Sequence, residues 1–405
     1  MSRTALASRL AASLAALGTV IACAEAPTSS PPEASASASS LAPQEAPAFS
    51  RGLSAQLIPG RFIVTLRSGA SPAAVAREHG VTPDFVYDAA LNGFAGSISD
   101  AARAGLLRDA RVTRVEQDGI ATTQSTETGA TWGIDRVDQR SLPLSTTFTY
   151  TNTGAGVTAY IIDTGILFTH SEFGGRAVSG YDAVDGGSAD DCNGHGTHVA
   201  GTVGGATYGV AKGVSLVAVR VLDCGGSGSW SGVIAGMNWV TKNHATPAVA
   251  NMSLGGGASS SVDDALRGMI ASGVATAVAA GNGNQGGRQQ DACKYSPARV
   301  AEAMTIGATD RSDTKTSWSN YGNCVDWFAP GLSITSSWYS SNTATNTISG
   351  TSMATPHTTG VAALYLQTHG SSTAQQVRDA LYASTTKGIV NKSYTANNHL
   401  LFTNY

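Results

Sequence analysis

Five apolar runs that do not alternate with polar residues, all beyond Trp132, constrain the fold of this chain more than any other feature. They lie at 157–162, 216–222, 249–254, 274–279 and 303–307. A strand with one wet face alternates apolar and polar side chains, so a run without alternation is buried on both faces. Segments with helical spacing separate several of them, at 194–204, 231–244 and 261–272. Strands that alternate with helices predict an α/β fold: a doubly wound, mainly parallel sheet with helices on both faces. Ligands of such sheets bind beyond the carboxyl ends of the strands.

Residues 53–121 carry a smaller pattern. Strands are expected at 61–66, 93–98 and 112–118 and helices at 72–79 and 100–109, giving a β-α-β-β-α-β-like, ferredoxin-like α+β domain. Residues 1–23 place Arg3 and Arg9 around the start of an apolar run, 10–22, that is too short for a permanent membrane span and reads as an export signal. Ala22-Cys23-Ala24 offers small residues for ordinary cleavage, whereas Val20-Ile21-Ala22-Cys23 resembles a lipoprotein box that would acylate Cys23. Secretion without lipid is the expectation, with a lipid-anchored form as the alternative. Residues 24–52, rich in Ala, Pro and Ser, read as a flexible linker, and 122–405 as the main domain. A cleavage segment is expected within 121–129.

A net charge of −3 without a basic block argues against nucleic acid as a partner. Only 13% of residues are charged and 47 are glycine, as suits a compact, loop-rich enzyme. Apart from Cys23, the cysteines are Cys192, Cys224, Cys293 and Cys324, an even set that pairs in an oxidising compartment. Three connectivities are open. Cys192 with Cys224 and Cys293 with Cys324 close the shortest loops, each of which would stabilise by roughly 3 to 4 kcal/mol. The lack of a C-x-x-C pair disfavours zinc.

Chemistry concentrates at three places. Gly350-Thr351-Ser352-Met353-Ala354-Thr355-Pro356-His357 sets a serine among small residues where a helix begins, with apolar positions continuing at Val361, Leu364 and Tyr365. The free N–H groups and positive dipole end of a helix start favour an oxyanion beside Ser352. Taken alone, Gly-Thr-Ser is also ordinary capping chemistry. Asp163 directly follows the run at 157–162, and His195 opens the helix at 194–204. The spacing of His195 and His198 suggests metal ligands, but the glutamate of H-E-x-x-H is missing. An acid, an imidazole and a serine are together what acyl transfer requires.

Asp163-Thr164-Gly165, His195-Gly196-Thr197-His198 and the segment from Gly350 to Pro356 resemble, in this order, the three signatures of the subtilases. Tyr208-Gly209-Val210-Ala211, Ser253-Leu254-Gly255-Gly256-Gly257 and Ser319-Asn320-Tyr321-Gly322 make the chain similar to the proteinase K branch, closest to its aqualysin-like members. The resemblance covers Trp132 to the C-terminus, and the unit at 57–120 is similar to that family's inhibitory propeptide. It implies a subtilisin-like fold and a secreted serine endopeptidase of broad specificity, made as a self-processing zymogen. The partners implied are protein or peptide substrates and its own propeptide, as intramolecular chaperone and inhibitor; the matured enzyme would be a monomer.

Several roles follow from the resemblance alone. Ser352 is the nucleophile, His195 the base, Asp163 the carboxylate that orients it, and Asn282 the amide donor to the oxyanion. Gly226-Ser227-Gly228 and Ser253-Leu254-Gly255 are the edges between which a peptide binds as an added strand, with Ala279, Ala280 and Gly281 lining the cleft. Structural calcium is expected on Asp326 with the carbonyls of Ala301 and Ala303, and at a second site on Asp135, Asp138 and Gln139. The resemblance also supports the two short-loop disulfides. A serine esterase of the α/β-hydrolase type is disfavoured because Ser352 is not in G-x-S-x-G. A silent binding protein is disfavoured because all four catalytic positions are filled.

Overall fold

The computed structural model describes residues 44–45, 57–89, 91–119, 125–284 and 286–405. The expected export signal with Cys23, nearly all of the linker, and residues 121–124 of the cleavage segment lie outside the described residues. Two compact units are present, one ending at Asp118 and the other running from Gly119 to Tyr405.

The first unit is a five-stranded sheet with two helices. Its elements are β1 (Gln44–Glu45), β2 (Leu57–Leu66), α1 (Pro72–Glu78), β3 (Phe85–Tyr87), β4 (Gly93–Ser97), α2 (Asp100–Leu106) and β5 (Val112–Gly119), with strand order β1-β5-β2-β4-β3. Both helices start at serine caps: Ser71 accepts from Ala74 N at 3.4 Å and Ser99 from Ala102 N at 3.3 Å. Val64, Leu66, Phe94, Val112 and Val115 of the strands share one core with Val75 and Leu106 of the helices. The strand β3 is too short to show a period, and as an edge it leaves Phe85 and Val86 exposed.

The second unit opens with β6 (Ser125–Thr128), α3 (Trp132–Val137) and β7 (Thr147–Tyr150), β6 and β7 pairing antiparallel. Then follow β8 (Thr158–Asp163), β9 (Ala177–Asp182), α4 (His195–Gly204), β10 (Ser215–Arg220), α5 (Trp230–Asn243), β11 (Ala248–Met252), β12 (Gly256–Gly257), α6 (Ser260–Ala271), β13 (Ala275–Ala279) and β14 (Tyr295–Ser296). The chain ends with β15 (Met304–Thr309), β16 (Trp327–Pro330), the hairpin β17 (Ile334–Ser337) and β18 (Thr345–Ile348), α7 (Thr351–Thr368), α8 (Ala374–Ser384), β19 (Thr386–Lys387) and β20 (His399–Leu400).

Nine of these strands form the main sheet, in the order β19-β20-β16-β15-β13-β11-β8-β10-β9. Every pair in it is parallel except β19 with β20. The five apolar runs are β8, β10, β11, β13 and β15, displaced by one or two residues. Helix α4 packs with α7 and α5 with α6, and α7 lies along β11, β13, β15 and β16. The 18 residues of α7 are nearly all buried, Tyr365, Gln367 and Thr368 being exceptions near its end and Ser352 the one near its start.

Candidate active site

Asp163 is the last residue of β8, a central strand, and its side chain is fully buried. Its Oδ1 lies 2.7 Å from Nδ1 of His195, the first residue of α4. Burial acts against a charge on this imidazole and Asp163 acts in its favour; the carboxylate prevails, and the ring is held above its usual value. One further residue fixes the pair. The carboxylate of Asp191 accepts from Asn193 N, Gly194 N and Thr197 N, each at 2.9 Å, and so caps α4, whose own N-cap glycine has no side chain. It also accepts from Thr164 Oγ1 at 2.9 Å, and Thr164 Oγ1 accepts from Gly196 N at 2.9 Å. Asp163 and His195 therefore sit on segments tied to one carboxylate. An Asp four residues before a helical histidine was legible as a capping signal, but it was not singled out.

Register carries the site across to the neighbouring strand. Asn251 of β11 pairs with Ile161 of β8, so Ser253 lies level with Asp163. Ser352 is the second residue of α7, and its hydroxyl donates to the Ser253 carbonyl at 3.1 Å rather than to His195. Pro356 sits four residues after Ser352 and has no N–H, so the helix cannot satisfy the Ser352 carbonyl itself. The hydroxyl of Ser253 does so at 2.8 Å. Behind it, Asn251 Nδ2 donates to Ser253 Oγ at 2.8 Å, and Thr359 Oγ1, on the second turn beyond Ser352, donates to Asn251 Oδ1 at 3.0 Å. Asn251 and Thr359 are fully buried and were missed in the sequence, although one amide inside an apolar strand must find partners.

Asn282 follows β13, beyond the carboxyl end of the strand. Its Oδ1 accepts from Thr351 N and Thr351 Oγ1, both at 2.8 Å, which leaves the Nδ2 donors free to face outward. A Cβ on Gly350 would lie 3.3 Å from Asn282 Nδ2 and 3.5 Å from Ser352 N, so the two nitrogens border one small space that the glycine keeps uncrowded. The turn carrying Asn282 is pinned by Asn320, which donates to Ala280 O at 2.8 Å and accepts from Gly283 N at 3.0 Å. Gly281, at φ +99, is packed so tightly on Asn320 that a Cβ would stand 2.5 Å from its amide nitrogen.

A cavity of about 310 Å³ opens beside Ser352. Ser253, Leu254, Gly255, Ala279, Ala280, Gly281 and Asn282 line it as anticipated, together with Tyr295, Ser296 and Ala298, which the sequence reading missed. Gly226, Ser227 and Gly228 are not in its lining; they form an exposed turn beside the His195 loop, where Asn193 Nδ2 donates to Cys224 O at 3.0 Å. Both disulfides are the short-loop ones, Cys192–Cys224 and Cys293–Cys324. His198 points away from His195 and uses Nε2 on the Ile334 carbonyl at 3.0 Å; burial lowers it to about 4.

The two expected calcium sites differ. At the first, Asp326 has both oxygens committed: Oδ2 accepts from Thr305 N at 2.8 Å and Oδ1 binds Arg378 Nη2 at 2.5 Å. Those residues, with Ala301 and Ala303, do not fit calcium as the resemblance implied, because a guanidinium already serves the carboxylate. At the second, Asp135, Asp138 and Gln139 do come together, with the Gln139 amide against Asp135. Ser145 Oγ lies 2.9 Å from Asp135 Oδ1 and 2.7 Å from Thr147 Oγ1. Asp138 Oδ1 is buried without a hydrogen-bond partner, and burial, with Asp135 nearby, raises this carboxyl to about 6. Gln139 presents its amide nitrogen to Asp135 and Ser145, so it would have to turn over to give its oxygen; with that turn, the carboxylate, amide and hydroxyl oxygens beside an unsatisfied buried oxygen fit a hard cation. Among the described residues no cluster of three or more His, Cys, Asp or Glu side chains exists, so neutral oxygens would have to complete the set.

Known proteins share this arrangement. Residues 154–401 match the Subtilase family. The chain is 52% identical over 403 residues to an extracellular serine proteinase of Thermus sp. (strain Rt41A), covering 93% of this chain and 95% of that one. It is 50% identical over 331 residues to alkaline serine exoprotease A of Vibrio alginolyticus, covering 80% of this chain and 61% of that one. A crystal structure of a cold adapted subtilisin-like serine proteinase superposes with a TM-score of 0.66 at 54% identity, over 68% of this chain and 98% of that one. Strand order, the edge of the sheet where the polar residues gather and these matches agree: the chain belongs to the subtilase family of serine endopeptidases.

Proposed function

We propose that the cleft cuts peptide bonds by acyl transfer through Ser352, with His195 as base, Asp163 as its orienting carboxylate and Asn282 with Ser352 N as oxyanion donors. The observation that carries this is the 2.7 Å contact of Asp163 with His195 Nδ1, which leaves Nε2 as the ring nitrogen able to take a proton. On binding, the Ser352 hydroxyl turns from the Ser253 carbonyl towards Nε2, as catalytic hydrogen bonds commonly tighten only in the complex. Oγ then attacks the carbonyl carbon and its proton passes to Nε2. The C–N bond breaks as that proton moves on to the leaving amine. Water next attacks the acyl-enzyme with the same base, restoring Ser352 and releasing the acid. A fluorophosphonate is expected to add its mass to the tryptic peptide containing Ser352; labelling elsewhere with Ser352 untouched would end this assignment.

The network behind the nucleophile supports a positioning role for Asn251. Asn251→Leu removes the donor to the Ser253 hydroxyl and the acceptor of the Thr359 hydroxyl, and so loosens the first turn of α7. A displacement near 1 Å can cost about a hundredfold, so kcat is expected to fall roughly ten- to a hundredfold with KM little changed. Steady-state kinetics of the variant beside its unfolding curve separate the two effects; a stability loss with kcat intact would make Asn251 purely structural.

Calcium at Asp135, Asp138 and Gln139, with Ser145 and Thr147 oxygens, is part of this reading. When bound, the ion would neutralise the buried Asp135 and the half-buried Asp138 carboxylates and tie the segment after α3 to β7. Export is supported by the apolar run at 10–22 and by the likeness to an extracellular proteinase of Thermus. Processing before Ser125, within the segment 121–129, is supported by the pairing of β6 with β7 and by the 2.6 Å contact of Glu127 with Lys212 Nζ, which tie 125–128 to the second unit. The released N-terminal piece is proposed to act as intramolecular chaperone and inhibitor, and the matured enzyme as a monomer.

A further inference from the structure

The Asp326 carboxylate stands one residue before β16 and is 7% exposed. Burial of that kind demands a compensating positive charge. The compensation comes from α8. Thr373 and Gln376 form a capping box at its start, and Ala374, Val377 and Leu381 form its buried side. Arg378 lies four residues after Ala374 and three before Leu381, so helical spacing turns it towards the same buried side. Its Nη2 reaches Asp326 Oδ1 at 2.5 Å, while the backbone N–H of Thr305, on β15, holds Oδ2 at 2.8 Å. Calcium prefers six to eight oxygens and gains most from carboxylates with lone pairs to give. Here Arg378 already neutralises the one carboxylate, and an incoming divalent ion would meet a fixed positive charge, whereas the oxygens of Asp135 accept only from neutral donors. Among the described residues, no arginine or lysine side chain is bonded to Asp135 or Asp138, and Oδ1 of Asp138 is buried and unsatisfied.

We propose that Arg378 is the resident cation of the Asp326 site and takes the place of calcium there, joining β15, β16 and α8 without a metal. The chain would then carry calcium only where Asp135 and Asp138 offer it.

The test measures bound calcium per chain by elemental analysis after equilibration with millimolar calcium, and thermal unfolding with and without chelator, on fluorophosphonate-blocked enzyme. Asp326→Asn is expected to leave the calcium content unchanged, whereas Asp138→Asn loses an equivalent. Arg378→Gln is expected to unfold several degrees lower in chelator, and Arg378→Lys, which keeps the charge, to recover most of that loss. Loss of one equivalent of calcium in Asp326→Asn would overturn the proposal, as would an Arg378→Gln protein as stable in chelator as the native one. If Asp326→Asn does not fold, the Gln and Lys pair at 378 decides the matter alone.

Discussion

Replacing Ser352 with alanine is expected to lower kcat on a peptide by about a millionfold, the loss typical when the nucleophile of such a triad is removed. Stability should hardly change. The deleted hydroxyl makes a single hydrogen bond, to the Ser253 carbonyl, and one such bond is worth about 1 kcal/mol. The donors on Asn282 and Ser352 N stay in place, so a residual rate of about a thousandfold or more above water remains from binding and oxyanion stabilisation alone. The same variant reports on maturation. If the chain processes itself through this site, Ser352→Ala accumulates at full precursor length, whereas N-terminal sequencing of the native enzyme finds a start no later than Ser125. Casein digestion by the variant at an unchanged rate would refute the assignment of the nucleophile.

Asp163→Asn is expected to cost about ten-thousandfold in kcat, because an amide no longer enforces the tautomer with its proton on Nδ1. It also predicts a shift along the pH axis. In the native protein burial opposes charge on His195 and Asp163 promotes it, with the balance above the ordinary imidazole value. The base must be neutral to accept a proton, so activity rises as pH climbs through that raised value and is lost as pH falls below it. In the variant the promoting carboxylate is gone and burial remains. The acid limb of kcat/KM therefore moves to lower pH while the plateau drops. A pH-rate profile with the limb unmoved would show that Asp163 does not govern the charge on His195.

The parts of this molecule that repeat were legible. Uninterrupted apolar runs gave the inner strands β8, β10, β11, β13 and β15, because burial on both faces leaves no other composition. Strands at the margin were not: β9 has exposed residues within it, β16 has four residues ending at Pro330, and β19 and β20 have two each. The proposed catalytic positions stand in long motifs, which made them easy to single out. The residues that hold them were less so: Asp191 caps α4 locally but also bonds Thr164, 27 positions back, and Asn251 and Asn320 act through partners 108 and 40 positions away, which no local pattern records. Asp326 shows the opposite hazard. Its motif was intact, and Arg378, 52 residues downstream, changed what the carboxylate is bonded to.

A peptidase works among copies of itself, and any segment that peels away from one molecule is food for the next. Cleavage requires an extended stretch of backbone, so a helix is safe while it stays packed. With α7 lying along four strands of the central sheet, Ser352 is mounted on a part that cannot loosen unless the whole unit opens. Self-digestion is thereby expected at the outer turns, such as the exposed stretch at 225–228 and Gly286-Gly287, and a nicked molecule keeps Ser352 seated. The working life of the enzyme is then set by the rate at which the whole unit unfolds, a kinetic property rather than an equilibrium one.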